Sequence, residues 1–434
     1  MKQYESYKDS GIEWLGKIPS HWTPISMKFY FYMKGRIGWQ GLKADEFIEE
    51  GPYLVTGTDF ENGKVMWERC YHISEERYSE APEIHVEKGD LLITKDGTVG
   101  KLALIDEKPE KVSLNSHLLI LRPVKPNIDN HFIYWALQAD NFVYYTGLAQ
   151  NGSIMTSLSQ EKIGDYKIAL PSFEEQQAIA SYLNHKVGQI DSAIAEKEQM
   201  LEDLKAYRSA IISEAVTKGL NKNVEMKDSG IEWWGEVPFH WDLLKAKHMF
   251  SLVTDSVSDS SLPKVALENI ESGSGRYIQT EADFMGEGIE FEPDDILFGK
   301  LRPYLAKVYK TEFRGQSVGD IYVFRGNDKQ ESGFLKYLLL SYPFISVVDG
   351  STYGAKMPRA NWDFISQMIL PCPPKSEQEE IASFLDHKVN SIDMSTKDIQ
   401  SQIDDLKAYK SSIITEAVTG KVDLRGWNSN NDKT

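Results

Sequence analysis

The sequence predicts an α+β protein in which two mixed α/β domains are separated by two long antiparallel coiled-coil helices, arranged as an internal pseudo-two-fold, circular repeat. Two pairs of repeated blocks carry this prediction. The segment Lys8–Trp14 returns as Lys227–Trp233, and Asp203–Tyr207 returns as Asp405–Tyr409. The stretches between the blocks look almost unrelated. A duplicated frame around two diverged inserts predicts one scaffold that presents two different surfaces.

Bulk composition narrows the class of protein. A chain of 434 residues can hold two or more domains, each with its own core. It has no run of about 18 apolar residues, which a membrane span needs. Its opening Met1–Glu5 lacks an apolar signal region, so we expect a cytoplasmic protein. Cys70 and Cys372 are its only cysteines, which excludes a disulfide framework and a cysteine-based zinc site.

The formal net charge of −17 argues against simple non-specific nucleic-acid binding, which usually needs a broadly basic domain. It allows a protein that gathers its basic residues on one face. It also allows a protein whose partner subunits supply much of the phosphate contact.

Two long helices are predicted at about 174–218 and 376–420. Apolar residues recur in alternating steps of four and three, a 3.5-residue period typical of a coiled-coil seam. Prolines precede both helices, and Gly219 and Gly420 follow them. About 45 residues at 1.5 Å each give helices of roughly 65–70 Å. The predicted seam consists of Leu183, Val187, Ile190, Ile194, Leu201, Leu204 and Ile211, and of Leu385, Val389, Ile392, Ile399, Ile403, Leu406 and Ile413.

One helix cannot bury such a seam by itself. The partner could be a second molecule, in a homodimer, or the twin helix in the same chain. Chain order favours the twin, because the first helix leads into the second insert and the second helix starts from it. If the inserts lie at opposite ends, the second helix returns antiparallel to the first, and the arrangement is circular.

Both inserts predict many short strands and one short helix each, at Ile133–Leu137 and Phe334–Leu340. The apolar runs bounded by glycine, proline or charge are 52–55, 90–94, 101–105, 116–121, 295–298 and 321–324. A cationic turn follows one strand of each insert, at 95–101 and 299–304. A small polar loop, at 150–156 and 353–361, comes near the end of each insert.

These loops carry side chains that suit DNA. Arg and Lys can reach guanine O6 and N7, Asn and Gln can bind adenine, and Ser and Thr commonly contact phosphates. The alternative is that they are solvated loop residues. We interpret Trp14, Trp22, Trp233 and Trp241 as core anchors, and the repeated histidines as structural. The candidate DNA-binding residues are Lys95, Thr98, Lys101, Gln150, Asn151 and Ser153 in the first insert, and Lys300, Arg302, Tyr304, Tyr353, Lys356 and Arg359 in the second.

The sequence lacks the common catalytic and metal-binding motifs. The sequence has no phosphate-binding loop ending in Gly-Lys-Ser/Thr, no adenine methyltransferase signature, no Gly-x-Ser-x-Gly elbow and no His-Glu-x-x-His helix. We therefore expect a chain that binds rather than catalyses, with no metal and no cofactor of its own.

The order insert, long helix, insert, long helix resembles the DNA specificity subunit of type I restriction–modification systems. Each helix is entered through Leu-Pro and a Glu-Gln pair, Leu170-Pro171 with Glu175-Gln176 and Leu370-Pro371 with Glu377-Gln378. The Asp-Ser-Gly-Ile-Glu-Trp and Pro-x-His-Trp openings complete the pattern. The resemblance implies target recognition domains at 1–170 and 221–370, repeated long helices at 171–220 and 371–422, and a tail at 423–434.

The resemblance also implies a function. Each target recognition domain would bind one half of a split, asymmetric site on double-stranded DNA, and the helix pair would set the gap between the halves. Two modification (methyltransferase) subunits and two restriction (translocase and nuclease) subunits would dock on this non-catalytic chain. S-adenosylmethionine, ATP and Mg would then belong to those partners, and methylation would fall on adenine N6.

Two other hypotheses remain open from the residues. One is an acidic coiled-coil scaffold, or a DNA mimic, that binds protein partners without contacting DNA. The interspersed acids and bases count against a mimic, which would arrange its charge in phosphate-like runs. The other is a stand-alone nuclease–methyltransferase, which the missing motifs disfavour.

Overall fold

The computed structural model describes residues 2–36, 42–147, 157–257, 261–280, 287–352 and 357–427. The chain forms two compact units. Unit 1 comprises Met1–Glu196 and Gln402–Thr434, and unit 2 comprises Lys197–Ser401. Among the described residues, no helix is both long enough and apolar enough to cross a membrane.

Unit 1 contains an α+β insert followed by the start of a long helix. Its strands are β1 (Tyr7–Asp9), β2 (Lys17–Pro19), β3 (Thr23–Ser26), β4 (Phe31–Lys34), β5 (Ile48–Val55), β6 (Phe60–Glu61), β7 (Lys64–Val65), β8 (Tyr71–His72), β9 (Leu91–Thr94), β10 (Leu102–Leu104), β11 (Val112–Leu114), β12 (Leu118–Pro123) and β13 (Lys167–Leu170). Its helices are α1 (Glu75–Ser79), α2 (Asn130–Ala136), α3 (Asp140–Thr146), α4 (Gln160–Asp165) and the first half of α5 (Phe173–Lys218).

Unit 2 has a similar order of elements. Its strands are β14 (Met226–Asp228), β15 (Glu236–Pro238), β16 (Asp242–Lys245), β17 (Phe250–Val253), β18 (Ser256–Val257), β19 (Lys264–Val265), β20 (Gly288–Phe291), β21 (Ile296–Gly299), β22 (Val308–Lys310), β23 (Gly315–Ser317), β24 (Ile321–Gly326) and β25 (Ile369–Cys372). Its helices are α6 (Ser332–Leu340), α7 (Tyr342–Gly350), α8 (Trp362–Gln367) and α9 (Lys375–Val418), whose last turns belong to unit 1.

The two inserts share one antiparallel sheet although their sequences look unrelated. Its strand order is β10-β9-β12-β4 in unit 1 and β22-β21-β24-β17 in unit 2. The central strands β9 and β21 are apolar runs that are buried along their whole length, as expected of a strand covered on both faces. The predicted strands are therefore confirmed, and the short helices predicted at Ile133–Leu137 and Phe334–Leu340 correspond to α2 and α6. The prediction of one short helix per insert was wrong, because α1, α3 and α4 in unit 1 and α7 and α8 in unit 2 are also present.

A buried aspartate–arginine pair fixes the same corner of this sheet in both units. Arg122 donates from Nε to Asp90 Oδ1 over 2.7 Å, and Arg325 donates from Nε to Asp295 Oδ1 over 2.8 Å. The Asp90 and Asp295 side chains are 1% and 3% exposed. Each carboxylate also accepts a backbone N–H three residues earlier in the chain. Two-point pairing of this kind compensates the cost of burying a charge.

The second sheet of each insert differs. Unit 1 has the three-stranded order β11-β5-β8, and unit 2 has the four-stranded order β18-β20-β23-β19. Both retain one parallel pair, β11 with β5 and β23 with β19. The two inserts therefore diverge mainly on this side.

The repeated openings pack against the long helices within each unit. In unit 1, His21 Nε2 lies 2.9 Å from Glu175 Oε1, and in unit 2, His240 Nε2 lies 2.8 Å from Glu377 Oε2. Trp22 and Trp241 are both fully buried. The repeated spacing thus places one histidine and one tryptophan of each opening against the glutamate at the start of the following helix.

One predicted core anchor is wrong. Trp233 is 40% exposed, whereas its neighbour Trp234 is 4% exposed and donates from Nε1 to the Ile369 carbonyl. In unit 1, Trp14 makes the equivalent bond, to the Lys167 carbonyl. Unit 2 has Trp234 at the position where unit 1 has Leu15, and the Trp234 ring bonds directly to β25. Trp233 is therefore left at the surface.

The long helices run antiparallel within each unit, as predicted. In unit 1, Asp191 pairs with Lys410, while the earlier Tyr182 contacts Trp427 beyond the end of α9. In unit 2, Arg208 pairs with Asp393. The predicted seam is buried except for three half-buried residues, Leu204, Ile211 and Leu406. The chain's own twin helix therefore provides the partner.

The circular character of the repeat is visible in unit 1, where the two ends of the chain meet. Asp423 donates its N–H to the Lys2 carbonyl over 2.9 Å, and Lys421 Nζ donates to the Lys17 carbonyl over 2.6 Å. Unit 2 has a continuous segment at this place, between the end of α5 and β14. Of the predicted tail at 423–434, residues 428–434 lie outside the described residues, while Leu424 is buried and Trp427 contacts Tyr182.

Candidate nucleic-acid interface

Each unit presents one hairpin loop that carries predicted DNA-binding residues. Loop A, residues 95–101, joins β9 to β10, and loop B, residues 300–307, joins β21 to β22. Both follow the buried central strand of the shared sheet. The loops therefore occupy equivalent positions on equivalent frames.

Main-chain hydrogen bonds hold loop A in place. The Lys95 N–H donates to the His117 carbonyl over 2.8 Å, and the Leu158 N–H donates to the Lys95 carbonyl over 2.7 Å. Asp96 forms an isolated β-bridge with Ser157. The chain that follows the polar loop of unit 1 thus lies directly against loop A.

Loop B is held by the same set of bonds. The Lys300 N–H donates to the Asp320 carbonyl over 2.9 Å, and the Ala360 N–H donates to the Lys300 carbonyl over 2.8 Å. Leu301 forms the equivalent β-bridge, with Arg359. The structure thereby brings together Lys300 and Arg359, which are distant in the sequence but were both predicted as site residues.

Glycine and threonine shape the interior of loop A. Gly97 has a φ of 76°, which glycine adopts without steric cost. Thr94 Oγ1 donates to the Thr98 carbonyl over 2.5 Å and accepts the Lys101 N–H over 2.9 Å. Thr98 and Lys101 are exposed and Lys95 is half-buried. Loop A therefore presents a hydroxyl and an ammonium group on a closed turn.

Loop B presents larger side chains on a strained turn. Arg302 has a φ of 52° and Ala306 a φ of 45°, left-handed conformations that are uncommon for residues other than glycine. The Arg302 N–H donates to the Pro358 carbonyl over 2.8 Å, which helps to hold that conformation. Arg302 is exposed, and Tyr304 is 54% exposed. Strain of this kind concentrates at functional loops.

Two side chains beside the loops were missed in the sequence. Asp320 accepts from Arg359 Nη2 over 3.1 Å and lies 3.9 Å from Lys300 Nζ, so it orients two predicted site residues. Its counterpart in unit 1 is His117, which is 61% exposed and lies 3.7 Å from Asp96. Each is the last residue of a polar turn just before a central strand. A polar residue directly before a buried strand was the sequence feature that could have identified Asp320 and His117.

Lys307, the last residue of loop B, donates from Nζ to the Leu267 carbonyl over 2.6 Å and supports the loop from inside. Five of the predicted site residues lie outside the described residues, namely Gln150, Asn151, Ser153, Tyr353 and Lys356.

Comparison with known proteins identifies the class. The model of the type I restriction modification DNA specificity domain matches residues 39–203 and 292–405, together more than half of the chain. The chain belongs to this family.

Two specificity subunits are similar to the chain in sequence. A putative type I restriction enzyme MjaX specificity subunit from Methanocaldococcus jannaschii is 23% identical over 447 residues, covering 97% of each chain. The EcoDI specificity subunit from Escherichia coli is 24% identical over 329 residues, covering 70% of this chain and 72% of its own length.

Two solved structures have a similar fold. A chain from work described as the structural basis underlying complex assembly and conformational transition of the type I R-M system superposes with a TM-score of 0.69 at 14% identity, covering 93% of this chain and 99% of its own. The HsdS subunit from Thermoanaerobacter tengcongensis gives a TM-score of 0.53 at 13% identity, covering 93% and 98%. The predicted α+β fold with two recognition domains is confirmed.

Proposed function

We propose that this specificity subunit binds a bipartite, asymmetric site on double-stranded DNA, with one half contacted by each unit. The observation that carries the proposal is the pair of hairpin loops. Equivalent main-chain hydrogen bonds hold loops A and B, but the two loops present different side chains. Equal frames with unequal side chains are what a protein needs to bind two different half-sites in equivalent ways.

The side chains support different base contacts in the two halves. Loop B offers Arg302 and the neighbouring Arg359, whose planar guanidinium groups suit guanine O6 and N7 in the major groove. Loop A offers Lys101 and Thr98, a compact cation and a hydroxyl. Identical loops would favour a symmetric site, so their difference favours an asymmetric one.

Membership of the family supports a proposal for the chain's partners. Its relatives are specificity subunits, and one structural neighbour comes from work on assembly of the type I R-M system. We propose that two modification subunits and two restriction subunits dock on this non-catalytic chain. S-adenosylmethionine, ATP and Mg would be bound by those partners, which would also supply phosphate contacts that a chain of net charge −17 lacks.

A salt titration separates this proposal from the acidic-scaffold alternative. Duplex DNA containing the site should bind the complex of chain and modification subunits, and the logarithm of the affinity should fall linearly with the logarithm of salt concentration. The modification subunits without this chain provide the control. DNA binding that is the same with and without the chain would favour a scaffold that does not contact DNA.

We further propose that the helix pair sets the gap between the half-sites. Helices α5 and α9 each contribute residues to both units. Inserting one heptad in each helix lengthens both by roughly 10 Å, or about three base pairs of B-DNA. Methylated motifs recovered from cells making this variant should show a longer gap with unchanged half-sites. A motif with the original gap would refute this role.

A further inference from the structure

The two units differ in a hairpin that faces the long helices. In unit 1, Phe60 pairs with Val65, so residues 61–64 form the turn. In unit 2, Ile270 pairs with Tyr277, so residues 271–276 form it. The hairpin of unit 2 is therefore longer by two residues, and these extra residues decide what the hairpin can reach.

In unit 2 the longer turn lies on the helix pair. Arg208 donates from Nη1 to the Gly273 carbonyl over 2.7 Å and from Nη2 to the Ser274 carbonyl over 2.6 Å. Arg276 pairs with Asp393, which also accepts from Arg208 Nε. The Arg208 and Asp393 side chains are each only 13% exposed. The turn thus covers an interhelical ion pair.

Unit 1 contains the equivalent ion pair without such a cover. The helix blocks repeat with a shift of 202 residues (203 to 405), so Asp191 corresponds to Asp393 and Arg208 corresponds to Lys410. Lys410 Nζ lies 2.6 Å from Asp191 Oδ1, but the two side chains are 30% and 51% exposed. They line a cavity of about 1040 Å³.

The lining of this cavity defines the chemistry of a ligand. Asn62, Gly63 and Lys64 of the short hairpin form one wall, and His131 and Asp106 extend another. Both Lys410 contacts seen here go to Asp191, and an ammonium group has three N–H donors. Lys410 can therefore donate to a carbonyl, as Arg208 does in unit 2.

We propose that the unit 1 cavity binds a segment of a modification subunit, a turn that offers main-chain carbonyls to Lys410 and a basic side chain to Asp191. Unit 2 supplies this chemistry from its own chain. The lining sets the carboxylates of Asp106 and Asp191 among Lys64, Lys101 and Lys410, and this mixed charge suits a turn that carries both carbonyls and a basic side chain. The proposal rests on the proposed function, because it assumes that modification subunits bind this chain.

The corollary is that the two modification subunits bind differently. The unit 2 site is already occupied by residues 271–276 of this chain. Only a subunit that contacts unit 1 can use the cavity.

A graft tests the proposal directly. Replacing Asn62-Gly63 by Ser-Gly-Ser-Gly gives unit 1 a turn as long as that of unit 2. The turn should fill the cavity, so a titration with modification subunit followed by native mass spectrometry should show that one of the two subunits binds the graft at least tenfold more weakly than it binds the wild type. Thermal unfolding checks that the graft folds.

A point substitution makes the test independent of the graft. Asp191→Ala should weaken binding of one modification subunit at least tenfold, whereas Glu196→Ala, an exposed acid on the same helix, should leave it unchanged. The proposal is overturned if the folded graft and Asp191→Ala both bind two subunits with wild-type affinity. It is also overturned if DNA affinity falls while subunit binding does not. A wild-type chain that binds no modification subunit would remove the proposed function itself.

Discussion

Loops A and B show how one frame can serve two surfaces. The bonds common to both join main-chain groups, Lys95 to His117 and Leu158 in loop A, and Lys300 to Asp320 and Ala360 in loop B. Main-chain bonds do not depend on the side chains at those positions. Loop B can therefore carry Arg302 in a left-handed conformation where loop A uses glycine, without any change in the sheet beneath. The main-chain bonds are thus the same in both units, while the side chains that the loops present differ.

The shared frame should be the most sensitive to mutation. Arg122→Met leaves Asp90 buried without its main partner and should lower the free energy of unfolding by about 3–5 kcal/mol. Arg325→Met should act in the same direction but less strongly, since Arg325 is 45% exposed and Arg122 only 25%. Urea unfolding of the purified chain measures both. Losses below about 1 kcal/mol in both variants would show that the pair does not hold the sheet corner.

The loops should affect DNA binding and leave the frame intact. Lys101→Ala and Arg302→Ala should each weaken binding of the complex to its specific site by about 1–3 kcal/mol if the side chain contacts a base. Each effect should disappear when the DNA is altered in one half-site, a different half for each variant. Fluorescence anisotropy with such duplexes is the measurement. Unchanged affinity in both variants would remove the site assignment.

Asp320 and His117, which were not predicted from the sequence, should affect DNA binding less than Lys101 and Arg302 do. Asp320→Asn removes the charge that orients Arg359 and Lys300, and should relax discrimination in the half bound by unit 2 by about 0.5–1.5 kcal/mol. His117→Asn should act only in the other half. Competition binding with single-base substitutions measures both. An Asp320→Asn effect spread evenly over both halves would contradict a positioning role.

The smallest expected effect concerns pH. His131 of unit 1 lies between Asp129 and Asp106, and hydrogen bonding to Asp129 raises the pKa of His131 above 6.5. Its stabilising contribution is therefore complete below pH 6.5 and is lost as pH rises through the folded-state pKa. His131→Gln should lower stability at pH 6 by less than about 1 kcal/mol, because the side chain is 45% exposed, and by still less at pH 9.

Thermal unfolding of wild type and variant at the two pH values tests this prediction. Unit 2 has Gly333 at the equivalent position, 202 residues later, so the effect belongs to unit 1 alone. A His131→Gln effect that grows with pH would contradict the assigned direction of the pKa.

The sequence was sufficient for the helices and insufficient for the contacts between distant segments. The 3.5-residue period predicted helices at about 174–218 and 376–420, and the structure has Phe173–Lys218 and Lys375–Val418. Periodicity is local, so it survives in a single sequence. The shared sheet was nearly invisible, because strand pairing needs only buried apolar runs and tolerates different residues.

The sequence was likewise sufficient for one part of the candidate site, the loops, and insufficient for another, the residues that contact them. Loops A and B were located because glycine and cations follow a buried strand. Asp320 and His117 were missed because their importance comes from bonds to loops that are about 20 residues away in the sequence. The sequence also did not show that Trp234, and not Trp233, makes in unit 2 the bond that Trp14 makes in unit 1. The difference depends on the side chain one position later, which is Leu15 in unit 1 and Trp234 in unit 2.

Mapping of methylated adenines is the most direct test of whether each unit binds one half of a split DNA site. Genomic DNA would be sequenced at single-molecule resolution from cells making a modification subunit with the wild-type chain, Lys101→Ala or Arg302→Ala, and from cells lacking the chain. We expect one split, asymmetric motif that is lost without the chain. We also expect each variant to relax a different half of that motif. Complexes that assemble but yield no such motif, or variants that relax the same half, would contradict the assignment of one half-site to each unit.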